Sequence, residues 1–147
     1  MALASDGPGS NNRQDMFEAM KIAVLLQKVH HLDPVILLPE DALAMATRGG
    51  AAAAGRPDDL GAIEPGRLAD LVVVDLNSPF VAPVHRAVSA LVFNVTPRDV
   101  VHVVVNGRAV IRDRILTVAD ERAELHRAVS ACRALFARAG LATPARG

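Results

Sequence analysis

The chain has 147 residues, long enough for one domain with a sizeable core, and 51% of them are apolar before glycine is counted. Its 16 Lys plus Arg balance 16 Asp plus Glu, and it has no Trp or Tyr, so neither charge nor stacking aromatics point to nucleic acid or an anionic membrane. Cys132 is the only cysteine, which excludes an internal disulfide framework and a multi-cysteine zinc site and points to a reducing, cytoplasmic compartment.

No apolar run reaches membrane-spanning length, and no basic-then-apolar leader is recognisable, so a soluble protein is expected. The apolar fraction is nevertheless high. Ala and Val account for part of it; a chain that packs against more protein than is present here would explain the rest.

In chain order, Met1–Ser5 (MALAS) reads as a short apolar strand ending at Asp6. Asn11 or Asn12 is expected to cap the helix in RQDMFEAMKIAVLLQKV, with Asp15 and Glu18 in its first turns. Met16, Phe17, Met20, Ala23, Val24 and Leu26 give that helix a broad apolar face that should be buried, and Pro34 marks its end. Pro39, Glu40 and Asp41 open a second helix, expected to be interrupted at Gly49 and Gly50 and stopped at Gly55.

After residue 56 the character changes. LGAIEPGRLADLVVVDL reads as a short strand, a Pro65-Gly66 turn and a Val-rich strand, and SALVFNV as another extended segment. VVHVVV and RAVIR flank Asn106-Gly107, the pairing that a tight type I′ hairpin requires. In the tail, Leu125, Val129, Cys132 and Phe136 recur at spacings of 4, 3 and 4, predicting an amphipathic helix ended by Gly140 with Cys132 packed inside.

Asp6 poses the functional question. Between an apolar run and the polar stretch GPGSNN it reads either as an ordinary turn former or as a carboxylate held at the mouth of a sheet. A phosphate cradle at the following helix is disfavoured, because the loop has no Lys and places a carboxylate where the anion would sit.

Four segments in order, SDGPGSNN with DMFEAMKIAVLLQK, LPEDALAMATRGGAAAAG, LGAIEPGRLADLVVVDL and VNGRAVIRD, together resemble the C-terminal third of the amidohydrolase superfamily. The resemblance is to its chlorohydrolase and S-adenosylhomocysteine/methylthioadenosine deaminase branch. It implies an α/β fold in three parts. The last strand and trailing helices of an eight-stranded βα barrel occupy 1–56, part of a β-sandwich 57–118, and a C-terminal helix and tail 119–147. It implies one divalent metal, zinc or iron, in the complete family enzyme, which hydrolyses a C–N bond of a heteroaromatic amine such as a purine nucleoside derivative or a triazine.

By the same resemblance, Asp6 is catalytic, as metal ligand and proton shuttle, and Asp6, Ser10 and Asn11 lie beside the small-molecule substrate. Residues at the C-terminal ends of barrel strands share one mouth, and a metal lowers the pKa of its water towards neutrality for a nearby carboxylate to deprotonate. The family's His-x-His pair, two further histidines and a glutamate have no counterpart here. Histidines 30, 31, 85, 102 and 126 fall in segments resembling helix ends, sandwich and tail. One carboxylate does not hold a catalytic zinc, which takes about three protein ligands. The expectation is a C-terminal piece, inactive alone, with a non-catalytic chain that self-associates or joins a partner as the alternative.

Overall fold

The computed structural model describes residues 1–142, so the last part of the expected tail, 143–147, lies outside the described residues. Helix α1 (Pro8–Asn11) is one turn, opened by Pro8 and left through Asn12 at φ 61. The long helix α2 (Met16–His31) starts later than expected. Its cap is Asp15 rather than Asn11 or Asn12, the carboxylate accepting from Phe17 N–H at 2.9 Å and Glu18 N–H at 3.3 Å. An N-cap needs extended backbone, which Asp15 has and left-handed Asn12 does not. Leu32, at φ 52, closes α2 by returning its N–H to Lys28 and Val29.

Helix α3 (Pro39–Ala44) opens as expected, with Asp41 accepting from Leu38 N–H at 2.9 Å. Gly49 and Gly50 do not interrupt the helical path. The backbone stays right-handed through a π turn (Met45–Gly49) into α4 (Gly50–Ala53), and stops at Gly55, φ 72. A π turn loosens the backbone ladder, and here the Met45 carbonyl accepts from Leu3 N–H at 3.1 Å. Gly49 permits that approach: a Cβ there would collide with the Met1 carbonyl.

That contact replaces the strand expected at residues 1–5, which run without ladder partners among the described residues. A strand requires a neighbour to satisfy its backbone. The short strand expected at LGAIE is also absent. The segment is a loop held by Arg67, whose guanidinium donates to the carbonyls of Pro57 and Leu60 and to Glu64.

Among the described residues, four antiparallel strands lie in sequence order: β1 (Leu71–Val74), β2 (Val100–Val105), β3 (Arg108–Arg112) and β4 (Ile115–Leu116). Val105 faces Arg108 across Asn106 (φ 47) and Gly107 (φ 77), the expected type I′ turn. Asp70 fixes that turn from the side, accepting from Asn106 N–H at 2.6 Å. Asp113 and Arg114, also at positive φ, turn β3 into β4 without a glycine.

The SALVFNV segment is not extended. It forms most of helix α5 (Ala87–Phe93), burying Ala90 and Val92. Its β-branched residues favour strand only weakly, and packing overrides that preference. Val92 closes one cluster with Met20, Val24 and Ala42, which ties α5 to α2 and α3; Val81, Ala90 and Val95 form the other.

The face of α2 is narrower than expected. Ala19, Met20 and Val24 are buried, but Leu26 is 61% exposed. Helix α6 (Glu121–Arg138) forms as expected, capped by Asp120, yet it packs on nothing among the described residues, and Cys132 is exposed rather than buried. The chain exposes 10661 Å², against about 7,200 Å² for a compact monomer of this mass. Among the described residues no helix is long and apolar enough to cross a membrane.

Candidate active site

Asp6 follows the N-terminal segment, residues 1–5, and precedes α1. Its backbone is left-handed, at φ 59, a conformation that costs a side-chain-bearing residue about 1–2 kcal/mol unless a local hydrogen bond offsets it. Here Gly7 N–H donates to Asp6 Oδ1 at 2.6 Å, a charge-assisted bond that fixes the carboxylate at the turn. No other hydrogen bond reaches that carboxylate among the described residues, and the residue is exposed.

Asn11 closes the same loop. Its side-chain Nδ2 donates to the Ser5 carbonyl at 2.8 Å, tying the end of α1 to the residue before Asp6. Ser10 is exposed, with its backbone N–H donated to Gly7. The structure therefore gathers Asp6, Ser10 and Asn11 in one loop. Asp6 and Ser10 are exposed, while the Asn11 amide nitrogen is engaged by backbone.

A metal is not held by these residues alone. Among the described residues no three His, Cys, Asp or Glu side chains are grouped to bind one. His30 and His31 lie at the exposed end of α2, their rings edge to face at 4.7 Å. His102 sits on β2, where Nδ1 accepts from Asp113 N–H at 3.2 Å. His85 and His126 are exposed on a loop and on α6.

A second polar site was not legible in the sequence. An open groove of about 970 Å³ lies beside the start of α2, lined in part by Arg13, Asp15, Ser78, Phe80, Asp99 and Arg114. These residues come from separate segments with no shared motif, so no spacing could have announced them. Asp99 is buried, and its Oδ2 accepts from Thr96 N–H at 2.9 Å and the Thr96 hydroxyl at 3.0 Å. The Thr96 backbone bond chiefly holds its carboxyl below the usual carboxylate range, against desolvation, with help from the Thr96 hydroxyl and Arg114. Ser78 Oγ is close enough to favour the ionised form, yet is buried without meeting hydrogen-bond geometry to any group. Asp6 does not line this groove.

With an isolated loop carboxylate and a mixed helix–sheet fold in view, comparison with known proteins supplies the class. The Amidohydrolase family pattern matches residues 1–110. This chain belongs to the amidohydrolase family. It is 44% identical over 116 residues to a 5-methylthioadenosine/S-adenosylhomocysteine deaminase of Syntrophobacter fumaroxidans, covering 79% of this chain and 26% of that protein. It is 42% identical over 122 residues to a 5'-deoxyadenosine deaminase of Methanothermobacter thermautotrophicus, covering 83% and 28%.

Among solved structures, an adenosine deaminase from Xanthomonas campestris with bound zinc superposes with a TM-score of 0.85 at 36% identity. That match covers 88% of this chain and 29% of the other. An atrazine chlorohydrolase from Arthrobacter aurescens complexed with zinc gives 0.75 at 30% identity, covering 88% and 28%. The chain thus spans under a third of the length of these relatives.

Proposed function

We propose that residues 1–56 form the end of an amidohydrolase barrel and residues 57–118 part of its sandwich, and that Asp6 contributes a carboxylate to a divalent-metal site. The reaction is hydrolysis of a C–N bond in a heteroaromatic amine, with an adenosine-type nucleoside or a triazine as the substrate class. The observation that carries this reading is the geometry of Asp6. Its left-handed backbone and Gly7-bound Oδ1 leave the second oxygen without a hydrogen-bond partner among the described residues, in a loop closed by Asn11. That oxygen suits holding or moving a proton, and Ser10 and Asn11 line the substrate side.

The described residues do not fit zinc or iron by themselves, because one carboxylate is too few. The remaining ligands come from polypeptide outside them, and the 147 residues alone are inactive. The test is zinc and iron content per chain after equilibration and dialysis, with deaminase assays on methylthioadenosine. Metal below about a tenth of an equivalent and no turnover are expected. One tightly held metal per chain would overturn the claim that the ligands lie elsewhere.

A second reading is a non-catalytic chain that associates with a partner. The exposed Leu25, Leu26, Val29, Val35 and Ile36 on and after α2 favour it. A stable monomer at high dilution would count against it. A cytoplasmic setting fits the single, exposed thiol of Cys132.

A further inference from the structure

The segment that carries Asp6 is tied to the body of the chain by few contacts. The bonds of Asn11 with Ser5 and of Gly7 with Asp6 are internal to its own loop. Among the described residues, the hydrogen bond that links residues 1–6 to a distant element is Leu3 N–H to the Met45 carbonyl, 3.1 Å. The half-buried Leu3 side chain adds packing against the cluster of Met20, Val24, Ala42 and Val92. Asp6 comes shortly after Leu3, so the place of its carboxylate depends on how the π turn receives Met1, Ala2 and Leu3.

Glycines shape that turn's surroundings on two sides. A Cβ on Gly49 would collide with the Met1 carbonyl and stand 3.3 Å from Ala2 Cα. Met45 and Gly49, at i and i+4, share one side of the turn, and Thr47 lies about half a turn round from them. Against Thr47 and Arg48 presses Gly61, from the loop that Arg67 holds. A Cβ on Gly61 would stand 2.9 Å from both Arg48 Cα and the Thr47 carbonyl oxygen, and 3.0 Å from Ala51 Cβ. Those atoms belong to backbone or to a side chain without a rotamer, so no side-chain rotation relieves the collision. Glu64 ties the same loop to the turn, pairing with Arg48 at 3.5 Å and with Arg67 at 2.8 Å.

Neighbouring glycines separate contact from backbone conformation. Gly49 is right-handed, at φ −63, which any residue adopts, so the contact and not the backbone excludes a side chain there. Gly50 beside it would place a Cβ in open space. Gly61 is left-handed at φ 84, but so is Gly66 at φ 91 in the same loop, and a Cβ on Gly66 would meet nothing.

We infer that Gly49 and Gly61 are positioning residues for Asp6. They let the π turn sit between the Arg67-held loop and residues 1–3, and the turn in turn sets where the Asp6 carboxylate stands. The inference rests on the reading of Asp6 as the site carboxylate.

The test is NMR on the full, isotope-labelled chain without metal, reading two amides. Leu3 N–H exchange reports its bond to Met45, and the Gly7 amide proton reports its charge-assisted bond to Asp6. Gly49→Ala and Gly61→Ala should each speed Leu3 exchange by about fivefold and shift the Gly7 amide proton. Gly50→Ala and Gly66→Ala should leave both where they are. In the folded wild-type chain, nuclear Overhauser contacts are expected between Gly49 Hα and Ala2 Hα and between Gly61 Hα and the Ala51 methyl, a check that needs no variant to fold. Absence of either contact overturns the inference. So does a folded Gly61→Ala chain with both amides unchanged, or a Gly66→Ala chain that moves them equally. These readouts need no metal, so their failure is distinct from a failure of Asp6 to contribute to a metal site.

Discussion

Replacing Asp99 tests how the groove beside α2 is held together. Its carboxylate accepts from the Thr96 N–H and hydroxyl, closing the turn Pro97–Asp99 that launches β2, while its own carbonyl accepts from Asp75 N–H at 2.8 Å just beyond β1. Asp99→Ala removes one acceptor from two donors, and an unpaired buried donor costs about 1–3 kcal/mol. Thr96 is exposed, so water recovers part of this; a loss of about 1.5 kcal/mol is expected.

Asp99→Asn keeps the shape and an acceptor oxygen but removes the charge, so it isolates the electrostatic part. Because the folded pKa lies below the unfolded value, the ionised carboxylate stabilises the fold above the unfolded pKa near 4, and that contribution fades as pH falls through the folded pKa. Urea unfolding from pH 7 to pH 2.5 should show wild type more stable than Asp99→Asn by a constant margin down to about pH 5. The margin should then shrink in acid. A difference independent of pH, or an Asp99→Ala change within about 0.3 kcal/mol of zero, would refute the assigned role of the Thr96 bonds.

Other outcomes rest on single contacts. Asp15→Ala unpairs Phe17 N–H and Glu18 N–H and should cost about 1 kcal/mol by chemical denaturation. Gly107→Ala forces a Cβ into φ 77 and should cost about 1 kcal/mol, read as a lower melting temperature. Cys132 should react with a thiol reagent in the native state without a slow unfolding phase, because its side chain is exposed.

Local chemistry was legible where a residue's own backbone demands it. The Asn106-Gly107 hairpin, the Pro39 helix start, the Gly55 stop and the spacing of α6 all stem from allowed φ values and side-chain periodicity, which neighbours in sequence suffice to set. The ordered motifs likewise marked the amidohydrolase family. The turn at Asp113-Arg114 was missed because it lacks the usual glycine.

The tertiary structure decided the fate of apolar segments that suit more than one state. Residues 1–5 join no strand ladder among the described residues, because a strand exists only with a neighbouring strand to accept its hydrogen bonds. The SALVFNV segment becomes helical because Val92 and Ala90 are buried against different clusters, a contact no local preference specifies. The helix through Gly49 and Gly50 persists because the widened turn accepts Leu3 N–H and the missing Cβ admits Met1. Burial of Cys132 failed for the converse reason: periodicity marks which face of α6 wants a partner, and only three-dimensional packing supplies one.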